Sequence, residues 1–427
     1  MLLEFRVKNF RSIKDWQSFS MLAENKVKEL KESVVERSGY SFLTTAIIYG
    51  RNASGKSNLL EAFRAFQFLV FQSAEFKNRQ KIPPYEPYRL CSKNTNEPVE
   101  FSVSFLGEDS IRYVYSIGFT ELEVEYENLI FYPKSKPATL FYRVKNQKTV
   151  YGEYLIGRKK DIEDLLYPNQ LFLSKVGTEK NEQLKIPFAF FSEQMFTSTI
   201  HDTDYDNALI QVFTSKMGRS DIPYFKENID KLMKVADTGI DRIIVREEEM
   251  DESSLPEDMN PDAKRELIEK YKYKFRTVHK VFDKNKVSGE VEFRLLDEST
   301  GTIKLLAVGG LILEALSDGQ VLIIDELDKS LHPKLTKALI SLFHSKKTNP
   351  NNAQLIFATH DVSLLNNELF RRDQIWFAEK EYEGYSHYYS ISDIAGVRSN
   401  IPYEKWYMSG RFGAMPAINS YELDFQY

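Results

Sequence analysis

The chain has 427 residues, with 57 Lys and Arg against 62 Asp and Glu and a net charge of −5. That length holds one large core or two to three ordinary ones, and the slight acidity excludes a global pull toward nucleic acid or anionic lipid, so any DNA contact needs a local patch. A single cysteine, Cys91, excludes an internal disulfide or a cysteine-rich zinc site and reads as a packing residue.

In chain order, residues 3–13 read as a strand and turn, charged too early for a secretory signal. The apolar runs at 46–49 and 321–324 are far shorter than the roughly 20 residues of a membrane helix, so the expectation is a soluble, cytoplasmic chain with no membrane partner. Residues 44–49 form a buried strand ending at Gly50, and a helical pattern follows over 56–74. Alternating runs between 98 and 144 predict an antiparallel meander, a β-lobe. From 161 to 286 helical periodicity takes over, broken by the acidic stretch 247–258. No heptads are sustained there, so the insert is compact rather than a coiled-coil arm. Strands at 290–296, 321–324 and 354–358 then alternate with helices at 302–316 and 333–345, an α/β core returning. The expected division is 1–160, 161–286 and 287–427, with the middle part a mostly helical insertion.

Gly50, Arg51, Asn52, Ala53, Ser54, Gly55, Lys56 and Ser57 match the phosphate-binding loop pattern between a strand and a helix. Its glycines let backbone N–H groups wrap an anion at a helix N-terminus, whose dipole favours negative charge. Lys56 is expected to hold the β- and γ-phosphates of ATP and Ser57 to offer a hydroxyl to Mg²⁺, with Asn58 completing the nucleotide-binding stretch. Strand 321–324 ends in Asp325 and Glu326. An isolated carboxylate pair there is usually solvated. Beside a P-loop it reads as a division of labour, Asp325 orienting Mg²⁺ through its water shell and Glu326 polarising the attacking water. Strand 354–358 ends in Thr359, His360 and Asp361. A lone histidine is usually structural, but this one ends at the same sheet edge and becomes a γ-phosphate sensor candidate.

Two strands ending in Asp-Glu and Thr-His behind a P-loop resemble the ATPase heads of the ABC superfamily, in particular the RecF and SMC type. The resemblance implies a mixed central sheet with helices, an antiparallel β-lobe, and ATP held between two heads. One head then supplies the P-loop and the other a signature turn. The matching stretch is 298–302, in which Ser299 caps a helix and Gly301 lets backbone approach a phosphate in trans. It departs from the transporter-type signature, so transport is not expected. Asp328 falls in the region resembling the D-loop, which crosses the dimer interface. Arg11, in Asn9-Phe10-Arg11-Ser12-Ile13, resembles a basic residue near the nucleotide, against the alternative of an ordinary surface arginine.

A broader resemblance runs through 9–13, 236–240, 298–302, 325–333, 371–376 and 410–416, and is similar to the RloA and AbiL-type bacterial defence ATPases, related to PARIS and Septu subunits. It implies abortive infection: an ATP-dependent homodimer or higher oligomer that senses DNA or a phage protein and controls a separate effector, such as a Toprim-like or HNH nuclease. The alternative is a RecF-like repair ATPase acting directly on DNA. A fused nuclease is not expected: the stretch from 384 to 427 offers Asp393, Glu404, Glu422 and Asp424 but no room for a further domain of roughly 100 residues. Asp237 and Gly239 read as a cap and turn, and Arg371, Arg372 and Arg411 as solvated surface.

Overall fold

The computed structural model describes residues 1–134, 136–157, 159–177, 182–199, 202–219, 224–236, 238–248, 255–256, 259–398 and 401–415. Asp237, Pro416, Glu422, Asp424 and much of the acidic stretch 247–258 lie outside the described residues. The chain forms two compact units, one of residues 1–199, 318–327 and 340–427, the other of 200–317 and 328–339.

In the first unit, the expected meander is present as Val99–Leu106, Arg112–Phe119, Val124–Tyr132 and Ala138–Val144, extended by Val150–Tyr151 on one side and by Leu2–Lys8 and Gln17–Ser20 on the other. These seven strands make one antiparallel sheet. The second sheet runs Met195–Ser198, Val321–Ile324, Gln354–Ala358, Thr45–Tyr49, Ile375–Lys380 and Ser386–Ser390. Its first five strands are parallel and the last is antiparallel. Every residue of Thr45–Tyr49, Val321–Ile324 and Gln354–Ala358 is buried, as parallel strands covered on both faces require.

Helix Lys56–Gln72 begins at the P-loop and buries an aromatic face. Phe63 stacks on Phe5 at 3.9 Å, and Phe66 packs against Phe101 at 5.5 Å and Phe191 at 5.1 Å. Each such ring contributes roughly 1.5–3 kcal/mol by leaving water, so the helix that carries the P-loop is anchored through its whole length. Phe172, Leu173, Leu184, Phe190 and Phe191 join the same core. Residues up to 199 are thus grouped with the first unit, where the sequence suggested a boundary at 161.

The second unit holds helices Thr203–Gly218, Phe225–Val235, Pro261–Tyr271 and Thr300–Asp318, with an antiparallel sheet of Ile240–Glu247, Tyr273–Asp283 and Lys286–Arg294. Of this sheet only a strand near 290 was anticipated. Its hairpin turns at Lys284 and Asn285, both with positive φ (45° and 66°), the pair of left-handed residues a tight I′ turn needs. Helix Thr300–Asp318 is, by length and composition alone, long and apolar enough to cross a membrane. Its apolar stretch is 72% buried inside the protein, where Leu305, Leu306 and Ile312 form core.

Arg371 is also corrected. It is 2% exposed, donates to Asp373 at 2.7 and 2.9 Å, and reaches the carbonyls of Val27 and Glu29 at 3.2 and 3.0 Å. Arg372 donates to the Val397 carbonyl at 2.6 Å, whereas Arg411 is exposed over the Trp406 ring at 4.8 Å.

Candidate nucleotide site

Three neighbouring parallel strands carry the candidate groups to one edge. Ile324, Phe357 and Ile47 stand in register across Val321–Ile324, Gln354–Ala358 and Thr45–Tyr49. Asp325 and Glu326, Thr359 and His360, and Gly50 therefore leave the carboxyl ends of adjacent strands about 4.8 Å apart, the edge at which open α/β sheets bind ligands.

The P-loop wraps between strand and helix with Ala53 at φ 61° and Gly55 at φ 107°. Gly55 has no substitute: a Cβ there would lie 2.1 Å from Ser386 Oγ, in a backbone region that side chains avoid. Lys56 is buried, and its Nζ donates to the carbonyls of Gly50 at 2.9 Å and Arg51 at 3.3 Å, so the ammonium lies in the mouth of its own loop. Arg51 donates to the Lys380 carbonyl at 3.0 Å. Ser57, Asn52 and Ala53 are exposed, while the buried Ser54 hydroxyl has no hydrogen-bond partner among the described residues. A loop with an exposed ring of backbone and an orphaned inner hydroxyl is suited to receive phosphate oxygens.

Asp325 is 5% exposed, and its Oδ1 accepts from the Glu326 N–H at 3.1 Å. Its own N–H donates to the Ser198 carbonyl on the edge strand at 3.0 Å. Glu326 then adopts φ 46°, and Leu327 N–H reaches the Ala358 carbonyl at 3.4 Å. The chain thus turns sharply at Glu326 toward the end of the histidine-bearing strand. His360 is exposed there, on a turn fixed by Asp361 N–H donating to Thr359 Oγ1 at 2.9 Å and Ser363 N–H to Asp361 Oδ1 at 2.9 Å. Among the described residues no cluster of three or more His, Cys, Asp or Glu could hold a metal by itself. The donor set of one hydroxyl, Ser57, and one carboxylate, Asp325, fits Mg²⁺, which keeps several of its waters and prefers oxygen.

Two expected site residues are engaged elsewhere. The Arg11 guanidinium pairs with Glu86 at 2.7 Å and Glu61 at 3.4 Å. The Asn58 amide donates to Ser12 Oγ at 2.6 Å. Ser12, Ser386 and Tyr388 were not expected at the site. Each is an ordinary hydroxyl in the sequence, and only the fold brings them together beneath the P-loop.

In the second unit, Ser299 caps helix Thr300–Asp318, its Oγ accepting from Thr302 N–H at 3.1 Å. Gly301 leaves no slack, since a Cβ there would sit 3.1 Å from the Ser330 carbonyl. The preceding Glu298 accepts from Thr277 and lies 2.8 Å from His279 Nε2, so the turn hangs from strand Tyr273–Asp283.

Residues 46–366 match the family described as AAA domain, putative AbiEii toxin, Type IV TA system. No curated protein matches. The chain is loosely similar to the solved SMC head bound to the C-winged helix domain of ScpA, at 14% identity over 91% of this chain and 97% of that one, with a TM-score of 0.39. It is likewise similar to the recombination mediator protein RecF with ATP in the RecFOR pathway, at 14% identity, 91% and 99% coverage and a TM-score of 0.37.

Proposed function

Since the chain belongs to the AAA-domain family described as putative AbiEii toxin, Type IV TA system, we propose that it binds and hydrolyses ATP with Mg²⁺ as the ATPase subunit of a bacterial anti-phage, abortive-infection complex. The observation that carries this reading is the register of three strand ends, which gathers P-loop, Asp325–Glu326 and His360 on one sheet edge.

Gly55 and its neighbours cradle the phosphates through backbone N–H groups, and Lys56 moves from its carbonyl partners to the β- and γ-phosphates. Ser57, and Asp325 through a water shell, would hold Mg²⁺, which would supply neutralisation of the charge that develops on the phosphates. Glu326 accepts a proton from the attacking water as its oxygen bonds to the γ-phosphorus and the bond to ADP breaks. His360 contacts the γ-phosphate from the neighbouring strand end. Ser299 and Gly301 serve the phosphate of a second copy, so hydrolysis follows dimerisation. In this reading the assembly is cytoplasmic, responds to DNA or a phage protein, and restrains or releases a separate effector, a Toprim-like or HNH nuclease.

The test is Glu326→Gln. The side chain keeps its size but loses its basicity, so turnover should fall by two orders of magnitude or more while ATP stays bound. Normal turnover would remove Glu326 from the role of base. Co-purification with a nuclease encoded beside the chain supports the defence role; ATP-dependent DNA binding that ignores the nuclease would move the assignment to DNA repair.

A further inference from the structure

We propose that Ser386 and Tyr388, on the outermost strand of the six-stranded sheet, act with Ser12 as positioning residues that aim the Gly55 and Lys56 amides at the nucleotide phosphates. The proposal rests on the nucleotide-binding reading above and adds the part of the chain that shapes the loop.

Ser386 Oγ donates to the Ser54 carbonyl at 2.6 Å, and Tyr388 Oη donates to the Gly55 carbonyl at 2.7 Å. A peptide unit is planar and trans, so fixing its carbonyl in one direction fixes the following N–H in the opposite one. Holding the Ser54 and Gly55 carbonyls toward Ser386 and Tyr388 therefore turns the N–H groups of Gly55 and Lys56 the opposite way, the Gly55 carbonyl also accepting the first helical bond from Leu59 N–H at 3.2 Å. A flipped peptide would present a carbonyl oxygen to an anion and repel it.

The hydroxyls form a directed chain. Ser386 has one proton and spends it on the Ser54 carbonyl. The 2.7 Å contact between Ser12 Oγ and Ser386 Oγ must then be donated by Ser12, whose own oxygen accepts from the Asn58 amide at 2.6 Å. Asn58, Ser12 and Ser386 thus form an ordered sequence of donors that ends on the Ser54 carbonyl. A backbone bond from Ser386 N–H to the Ser12 carbonyl, 2.7 Å, locks the two segments together. Ser386, Ser54 and Tyr388 are 0%, 0% and 5% exposed, so water cannot replace these donors. Burial also holds the Tyr388 phenol well above its usual range, which keeps its proton in place as a donor. The absent Cβ of Gly55 is what lets Ser386 and Ser12 come this close.

Three of these residues share no local motif with the P-loop: Ser12 and Ser386 are 374 positions apart.

The experiment is ATP affinity by titration calorimetry on the full chain, with apo melting temperature measured in parallel, for wild type, Tyr388→Phe, Ser386→Ala and Ser386→Thr. Tyr388→Phe keeps the ring and removes only the donor. We expect Tyr388→Phe and Ser386→Ala each to weaken ATP about 5- to 20-fold, the scale of one lost hydrogen bond to a preorganised group, with the apo melting temperature within a few degrees of wild type. Ser386→Thr, which retains the hydroxyl, should recover most of the affinity. If Ser386→Ala does not fold, Tyr388→Phe alone decides the matter. Unchanged affinity in the folded variants, beside a wild type that binds ATP, overturns the positioning role and leaves the nucleotide reading intact. A wild type that binds no ATP overturns both.

Discussion

Glu326 is the one candidate catalytic side chain set on a left-handed backbone, φ 46°, a conformation that costs an L-residue about 1–2 kcal/mol. A strained residue at a strand end persists when its surroundings over-determine it, and here Asp325 and the Ala358 carbonyl hold it on both sides. A second residue sets a pH limit at the opposite end of the P-loop strand. Gln374 Nε2 donates to Thr45 Oγ1 at 2.7 Å, and the same hydroxyl lies 2.9 Å from His344 Nε2. Burial pushes the His344 pKa down to about 4, from 6.5. As pH falls below 6.5 the unfolded chain takes up this proton while the folded chain refuses it until about 4, so stability is full above 6.5 and declines between 6.5 and 4. The slope from this group approaches about 1.4 kcal/mol per pH unit. His344→Gln, which still offers an acceptor, should remove that slope in urea titrations across the window. Identical slopes in both proteins would show that His344 titrates normally in the fold. At this scale the P-loop, Asp325, Glu326 and His360 were legible because each is contiguous with a run whose burial is obvious. Ser12 and Tyr388 were not, since a hydroxyl gains meaning only from the carbonyl it meets.

Among the elements, two of the parallel strands, Val321–Ile324 and Gln354–Ala358, were readable to the residue, because a continuous apolar run bounded by polar residues admits few other readings, whereas Met195–Ser198 and Ile375–Lys380 were missed. Strand Tyr273–Asp283 was missed. Its lysines, arginine and histidine interleave with apolar residues, and its partner Lys286–Arg294 is exposed throughout, so neither presents a clean buried face. Yet this sheet supports Glu298 and with it Ser299. Glu298→Ala should leave ATP binding by a single copy within about twofold and lower turnover about tenfold or more, since small misplacements of a transition-state contact are costly. Unaltered turnover would detach the sheet from catalysis. Arg371 was misread for the opposite reason: arginines are usually solvated, and nothing local marks one that is buried with Asp373. Arg371→Ala would strand the Asp373 carboxylate, at a cost of about 3–5 kcal/mol in denaturant unfolding. A loss under about 1 kcal/mol would mean that water reaches Asp373 and that the pair is not a staple.

For the whole molecule, the chemical groups are divided between units. P-loop, Asp325, Glu326 and His360 are in the first, Ser299 and Gly301 in the second. The division at 200–317 was not legible, because helical periodicity continues across residue 199 while the core contacts that decide membership are long-range. The central claim is that two copies of this chain close on ATP. Its most direct test is the solution mass of Glu326→Gln, measured by light scattering with and without Mg²⁺-ATP. The account predicts a shift to a dimer or a multiple of it that appears only with nucleotide and is abolished by Lys56→Ala. A mass unaffected by Mg²⁺-ATP, in a protein shown to bind the nucleotide, would contradict it.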